Sequence, residues 1–357
     1  MKHLICILFS FFFIFFQAFG EIPEGYYDNA EGKSGAELKT CLYNIIKGHT
    51  SLGYAGLWAA YATTDRRADG KIWDMYSTCT FTYSNDQCGN YSNICDCYNR
   101  EHSFPKSWFG GSESSAQGND AFHIYPTDGK VNGERGNYPF GEVGSTDNSV
   151  VNTNLYALGK RGAARAGLGY SGKVFEPVDE YKGDFARTYF YMATRYENVF
   201  ASWYSYSEAQ AMLAGNAYPG YKQWTIDMLL EWHHNDPVSQ KEIDRNNAVY
   251  ALQHNRNPFI DHPEYAVCIW QAANCEASNI IENNEDDIIF YPNPVSTELN
   301  VQCAMCNVQC VEIFDITGKL HSTLHFDFST KKIDVVDLPA GTYFIKIGEK
   351  TGKFVKE

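Results

Sequence analysis

The sequence predicts an α+β protein in two parts. Three observations carry that expectation. Apolar residues recur at helical spacing in several stretches before residue 276. A strand–loop–strand–helix pattern runs across residues 100–143. After residue 288 the apolar period changes to two, as in strands with one buried face. A length of 357 residues suits about two domains, and a charged content of 20% fits folded rather than disordered chains.

The first element, residues 1–20, reads as a signal peptide. Lys2 and His3 form a short polar start. Leu4 to Phe16 is almost wholly apolar, and Gln17-Ala18-Phe19-Gly20 supplies small residues for cleavage. Ile5 to Phe19 falls short of the roughly 20 apolar residues that a membrane span needs, and no other stretch approaches that length. The chain is therefore expected outside the cytoplasm, where thiols oxidise. Of 11 cysteines only Cys6 lies in this leader. Cys88 and Cys97 flank a Gly/Asn-rich loop and are the favoured bridge; Cys79–Cys95 and Cys268–Cys275 are further candidate pairs. Cys41 then has no partner in its region. Cys303, Cys306 and Cys310 have metal-like spacing but no fourth ligand nearby.

Residues 21–276 form the larger predicted domain. Ser34 and Glu37 have capping-box spacing, and Leu38, Leu42, Ile45 and Ile46 follow at helical intervals. Tyr54 to Trp58 starts a second helix, and His49 between them reads as structural. Residues 144–182 are polar and Gly-rich, predicting loops with short strands. A long helix opens at Gly183, with Phe185, Tyr189, Met192, Tyr196 and Val199 in one apolar stripe. Asp236 and Pro237 have the chemistry of a helix start. His233 and His234 project about 100° apart on a helix and do not chelate together. No H-E-x-x-H stands there, which argues against a metallopeptidase. Asn255, Arg256, Asp261 and His262 read mainly as a buried polar network.

Residues 277–288 turn to acid and amide side chains, as linkers do. Residues 289–357 carry short alternating runs, with turns at Thr317-Gly318-Lys319 and Pro339 to Thr342. That spacing predicts a small all-β sandwich.

The formal charge is −14, which argues against a broad basic surface for nucleic acid. A local groove remains open to Lys106, Lys130, Arg135, Arg161, Arg165, Arg187, Arg195, Arg245 and Arg256.

The central stretch holds the chemistry. Pro105 and Gly110-Gly111 stop the first strand, and Phe122 to Tyr125 begins the second. Thr127 or Asp128 caps a short helix that carries Asn132 in its first turns. Gly129 and Gly133 weaken that helix by about 1 kcal/mol each relative to Ala, so packing or an ion must help hold it. Phosphodiester hydrolysis needs a base that works near neutral pH, and His102 is one. It also needs positive charge at the phosphate. Glu101 and Asn132 offer hard oxygen donors, suited to Mg²⁺ or Ca²⁺ rather than zinc. Consecutive strand residues face opposite sides, so a bend at the strand end is expected if Glu101 and His102 share a site.

The blocks E-H-S-F-P (101–105) and P-T-D-G-K-V-N-G-E-R-G-N-Y-P-F-G-E-V (126–143) resemble the secreted endonuclease I family. The resemblance covers roughly residues 22–270. It implies a ββα-metal finger with surrounding helices and non-specific cleavage of DNA, with RNA as a further substrate, leaving 5′-phosphate ends. It implies His102 as general base and Glu101 and Asn132 as ligands of Mg²⁺, with Ca²⁺ or Mn²⁺ as alternatives. Arg187 is a catalytic candidate, set against a structural ion pair with Asp184. Arg135, Arg256 and Lys106 are candidates for substrate contact. Two departures stand out. Phe122 fills a place where the family often has histidine, and residues 107–119 lack the arginine that some members use on the product phosphate. The rival expectation is a degenerate surface protein that binds nucleic acid or glycan.

The tail blocks Y-P-N-P-V (291–295), D-I-T-G-K (315–319), L-P-A-G-T-Y-F-I-K-I (338–347) and K-F-V-K-E (353–357) resemble the C-terminal sorting domain of type IX secretion substrates. That implies a secreted protein handled by the type IX machinery; separately, the chain is expected to be a monomer.

Overall fold

The computed structural model describes residues 22–275, 289–291, 294–302, 310–315, 318–325, 332–347 and 350–357. The leader, the linker 277–288, Cys303 and Cys306 lie outside the described residues. The chain divides into two compact units, Met1–Ser278 and Asn279–Glu357.

In the first unit α1 (Gly35–Ile46) buries Leu38, Leu42 and Ile46, as their spacing requires. Ser34 takes the extended N-cap conformation, yet its side chain makes no cap bond. Glu37 pairs instead with Lys33 at 2.8 Å. α2 (Gly53–Thr64) follows and buries Leu57, Ala60 and Tyr61. β1 (Tyr98–His102) and β2 (Ile124–Asp128) pair antiparallel, with Glu101 opposite Tyr125 and His102 opposite Ile124. α3 (Gly129–Arg135) leaves β2 directly, and the Asp128 carboxylate caps it by accepting from the Val131 amide at 2.9 Å. This is the expected ββα unit. The two helical glycines are explained by packing. A Cβ at Gly129 would stand 2.6 Å from the Tyr91 ring, and one at Gly133 2.4 Å from the Tyr91 hydroxyl.

β3 (Val143–Thr146), β4 (Lys160–Ala164) and β5 (Lys173–Glu176) form a small antiparallel sheet in the predicted loop region. α4 (Lys182–Arg195) is buried along its whole length rather than on one stripe. It packs against α1, α6 (Gln223–Asn235) and α8 (Pro258–Asp261), with α5 (Glu197–Phe200) after it. Burying a helix all round requires partners for its polar side chains, and Asp184, Arg187 and Thr188 have them. α7 (Gln240–Gln253) does not start at Pro237. Ser239 and Glu242 form a reciprocal capping box, while Asp236 accepts from the Gly183 amide at 2.8 Å. α9 (Glu264–Trp270) closes the unit. Disulfides join Cys79–Cys95, Cys88–Cys97 and Cys268–Cys275, as expected, and Cys41 is free.

The second unit is all β. One sheet holds β6 (Ile289–Tyr291), β7 (Glu298–Gln302) and β10 (Lys332–Asp334). The other holds β8 (Cys310–Asp315), β9 (Leu320–His325), β11 (Gly341–Ile347) and β12 (Lys350–Lys356). Leu299, Ile333, Val311, Ile313, Ile345 and Phe354 meet in one core, which makes the unit a sandwich.

Candidate active site

β1 sorts its side chains by strand alternation. Asn99 and Glu101 face α3. Asn99 Oδ1 accepts from Asn132 Nδ2 at 2.7 Å, and Glu101 Oε1 lies 3.1 Å from Arg135 Nη1. Arg100 and His102 face α2. The Arg100 guanidinium lies 3.6 Å from the Tyr54 ring centre, and the His102 ring stacks on the same tyrosine at 5.5 Å. The expected bend between Glu101 and His102 is therefore not what the contacts show; regular alternation runs to the last strand residue. The two side chains therefore stand on opposite faces of the strand end, Glu101 toward α3 and His102 toward α2.

Glu101 is 4% exposed. Tyr76 donates its hydroxyl to Oε1 at 2.9 Å, the same oxygen that Arg135 approaches. Burial pushes the carboxyl up to about 7, against the pull of Arg135 and Tyr76. Asn132 is half-buried, and its Nδ2 is turned to Asn99, so its Oδ1 is the free end of the amide. Arg135 and Tyr76 both approach Oε1, and a carboxylate beside an amide oxygen oriented by its neighbour is a donor set that fits a hard divalent cation. Cys79, Cys95 and Asp128 also lie close together, but both sulfurs are spent in a disulfide.

His102 has a defined tautomer. Its Nε2 lies 3.1 Å from the Gly118 carbonyl oxygen. A carbonyl only accepts, so Nε2 carries the hydrogen and Nδ1 keeps the lone pair. The carbonyl is held in place by a tight loop: a Cβ on Gly118 would stand 1.9 Å from the Ser112 oxygen. Burial holds the imidazole pKa well below its usual value, and the neighbouring His123, Lys106 and Arg100 push the same way. The same burial favours the neutral ring, with the lone pair on Nδ1. His123 sits 5.4 Å from it, donating Nε2–H to Gln117 O at 2.5 Å. Phe122 is packed on Tyr191 in the core, so the departure at that position is accommodated by the interior.

The remaining candidates are placed as follows. Arg135 is 1% exposed, and besides Glu101 it donates to the carbonyls of His102 and Ser103 at 3.2 and 2.6 Å. Expected to touch substrate, it instead clamps the backbone at the end of β1. Arg187 is fully buried and pairs through two nitrogens with both Glu242 oxygens, at 2.5 and 2.8 Å. It does not emerge beside the finger, and its partner is not Asp184, which pairs with Lys241. Arg256 pairs with Asp261 through Nε and Nη2, both at 2.7 Å, and is 2% exposed, so its role is the buried network and not substrate contact. Lys106 is half-exposed at the mouth of the finger and pairs with Glu113 at 2.5 Å. Cys88–Cys97 and Cys79–Cys95 pin the segment ahead of β1.

Sequence reasoning missed Asn99, Tyr76 and Gly118. Asn99 had a signal, being two residues before Glu101 on the same strand face. Tyr76 and Gly118 are brought in by the tertiary fold and had none.

A ββα unit with a histidine and a carboxylate–amide pair, followed by a separate sandwich, is the arrangement expected of a ββα-metal nuclease with a C-terminal β domain. Residues 34–264 match the endonuclease I family model, and residues 289–357 match the secretion system C-terminal sorting domain. The chain belongs to the endonuclease I family and is a secreted nuclease. It is 39% identical over 248 residues to an extracellular ribonuclease of Bacillus subtilis, covering 69% of this chain and 78% of that one. A protein of the same description from Bacillus amyloliquefaciens is 38% identical over 250 residues, covering 69% and 78%. Endonuclease-1 of Buchnera aphidicola is 26% identical over 141 residues, covering 40% of this chain and 44% of that one. Among the described residues no helix is long and apolar enough to cross a membrane.

Proposed function

We propose that this nuclease is a divalent-cation-dependent endonuclease. It cuts RNA and DNA with little sequence preference and leaves 5′-phosphate ends. The observation that carries the reading is the bond from His102 Nε2–H to the Gly118 carbonyl, because it leaves Nδ1 with the lone pair that a general base needs. Nδ1 removes a proton from water, and the resulting hydroxide attacks phosphorus. Glu101 and Asn132 are the residues that would hold the cation. That cation supplies positive charge to the phosphate and to the departing oxygen. Arg135 holds the carbonyls of His102 and Ser103, so the base keeps its position while the ring accepts the proton. Both Bacillus relatives are described as extracellular ribonucleases, which supports RNA as a substrate. The sorting tail supports passage through a type IX machinery, so that the nuclease acts outside the cell.

Plasmid and RNA digests with Mg²⁺, with and without EDTA, test this directly. His102→Ala is expected to lose activity by about 100-fold or more while the chain stays folded at the assay temperature. Equal activity in that variant, or undiminished digestion in EDTA, overturns the mechanism. Binding without cleavage by the native chain favours the degenerate surface protein instead.

A further inference from the structure

Arginines in the first unit mostly answer to carboxylates. Arg135, Arg187, Arg245 and Arg256 pair with Glu101, Glu242, Asp65 and Asp261 at 2.5–3.1 Å. Arg100 differs. Among the described residues it has no carboxylate partner. Its guanidinium lies 3.6 Å from the centre of the Tyr54 ring and 4.5 Å from that of Trp58. One nitrogen, Nη1, donates to the Tyr54 carbonyl at 2.5 Å. A guanidinium has five N–H donors, so most remain for another acceptor.

Its position gives that acceptor an identity. Arg100 is half-buried, two residues before His102, and lies on the same face of β1. Tyr54 joins the two, with Arg100 over its ring and the His102 imidazole stacked on it at 5.5 Å. The charge is close enough to act on His102. The aromatic contacts fix the guanidinium plane and reduce the entropy lost when it binds a ligand. A half-desolvated, pre-oriented guanidinium without a carboxylate suits a phosphate, which it can take through two parallel N–H bonds.

We propose that Arg100, braced by Tyr54 and Trp58, is a binding site for a backbone phosphate of the nucleic-acid substrate on the His102 side of β1. The proposal rests on the nuclease reading above. Lys106 is held by Glu113 and supplies only a screened, secondary charge.

The test is binding of a fluorescent single-stranded oligonucleotide to His102→Ala chains across a series of NaCl concentrations, beside kcat/KM in chains with His102 intact. Arg100→Gln is expected to weaken binding by about tenfold and to flatten the slope of log affinity against log salt by about 0.7, as for one lost phosphate contact. Arg100→Lys keeps the slope but loses the bidentate geometry, so affinity falls severalfold. A merely structural role changes the melting temperature and leaves the slope alone. An unchanged slope in a folded Arg100→Gln chain overturns the proposal. Should that variant fail to fold, Arg100→Lys decides: unchanged affinity overturns the proposal and a severalfold loss supports it. A native chain that digests no nucleic acid overturns the nuclease reading itself, an outcome distinct from digestion that persists with the slope unmoved.

Discussion

The Arg135 guanidinium stands 3.1 Å from the Glu101 carboxylate and 2.6 Å from the Ser103 carbonyl, so one side chain ties the helix of the finger to the end of its first strand. Arg135 follows Asn132 by three positions, which puts both on the face of α3 that looks at Asn99 and Glu101. The arrangement couples the candidate ligand pair to the backbone of the candidate base.

Arg135→Ala leaves Glu101 buried with its nearest compensating charge gone. Loss of one partner of a buried pair costs about 3–5 kcal/mol. Urea unfolding is therefore expected to show that loss, and Glu101→Gln combined with Arg135→Met is expected to recover much of it. A substrate-contact role predicts the opposite pattern: an unchanged midpoint and weaker nucleic-acid binding.

Arg187 and Glu242 give a second separation of structure from catalysis. Both side chains are buried and doubly bonded to each other. Arg187→Ala is expected to cost about 3–5 kcal/mol of stability. The fraction that remains folded, measured well below the melting temperature, is expected to keep its kcat within about threefold. A stable variant with a large loss in kcat shows that Arg187 acts on substrate after all.

What the sequence made legible follows from distance along the chain. The ββα unit is encoded within residues 98–135, with turn residues, cap and period all local, and the structure reproduces it. The placement of Glu101 and His102 on β1 and of Asn132 on α3 is legible for the same reason. The arginines are not. Whether Arg187 meets Asp184 in its own helix or Glu242 on another depends on how α4 packs, and no local pattern records that. Arg256 and Asp261 are only five residues apart, and there the buried network was readable. The α7 start shows how two local signals compete. Asp236-Pro237 has the right chemistry for a cap, but Asp236 is drawn to the Gly183 amide, and Ser239 with Glu242 supplies the reciprocal bonds.

Asn99 offers a prediction about the cation that does not alter a ligand. Its Oδ1 fixes the Asn132 amide at 2.7 Å. Outer partners of metal ligands typically contribute 10–100-fold in metal affinity. Asn99→Ala is therefore expected to raise the Mg²⁺ concentration for half-maximal digestion by about that factor, with activity recovered at high Mg²⁺. The native enzyme is expected to stop in EDTA and restart on Mg²⁺ addition. An Asn99→Ala titration curve that overlays the native one removes the oriented amide from the site.

His233 sets part of the acid stability. Its Nε2 donates to the Pro263 carbonyl at 3.0 Å, and its Nδ1 faces Arg187 Nη1 at 3.3 Å, an arrangement only the neutral ring satisfies. Burial pushes its pKa down to about 4, with the Arg187 charge acting in the same direction. The unfolded chain binds this proton near pH 6.5, and the folded chain does not until about pH 4. The unfolded state therefore holds more protons in that window, and stability falls as pH drops through it. The contribution is complete above about pH 6.5 and is gone below about pH 4, with roughly 2 kcal/mol lost by pH 5. His123, also pushed down to about 4 by burial, acts in the same sense. His233→Gln, which can still donate toward Pro263, is expected to have a lower melting temperature at pH 7 but a shallower fall between pH 7 and pH 5. His123 keeps that fall from vanishing. Parallel melting curves for the native and variant chains over that range mean that His233 is protonated alike in the folded and unfolded states, which its contacts with Arg187 and Pro263 do not allow.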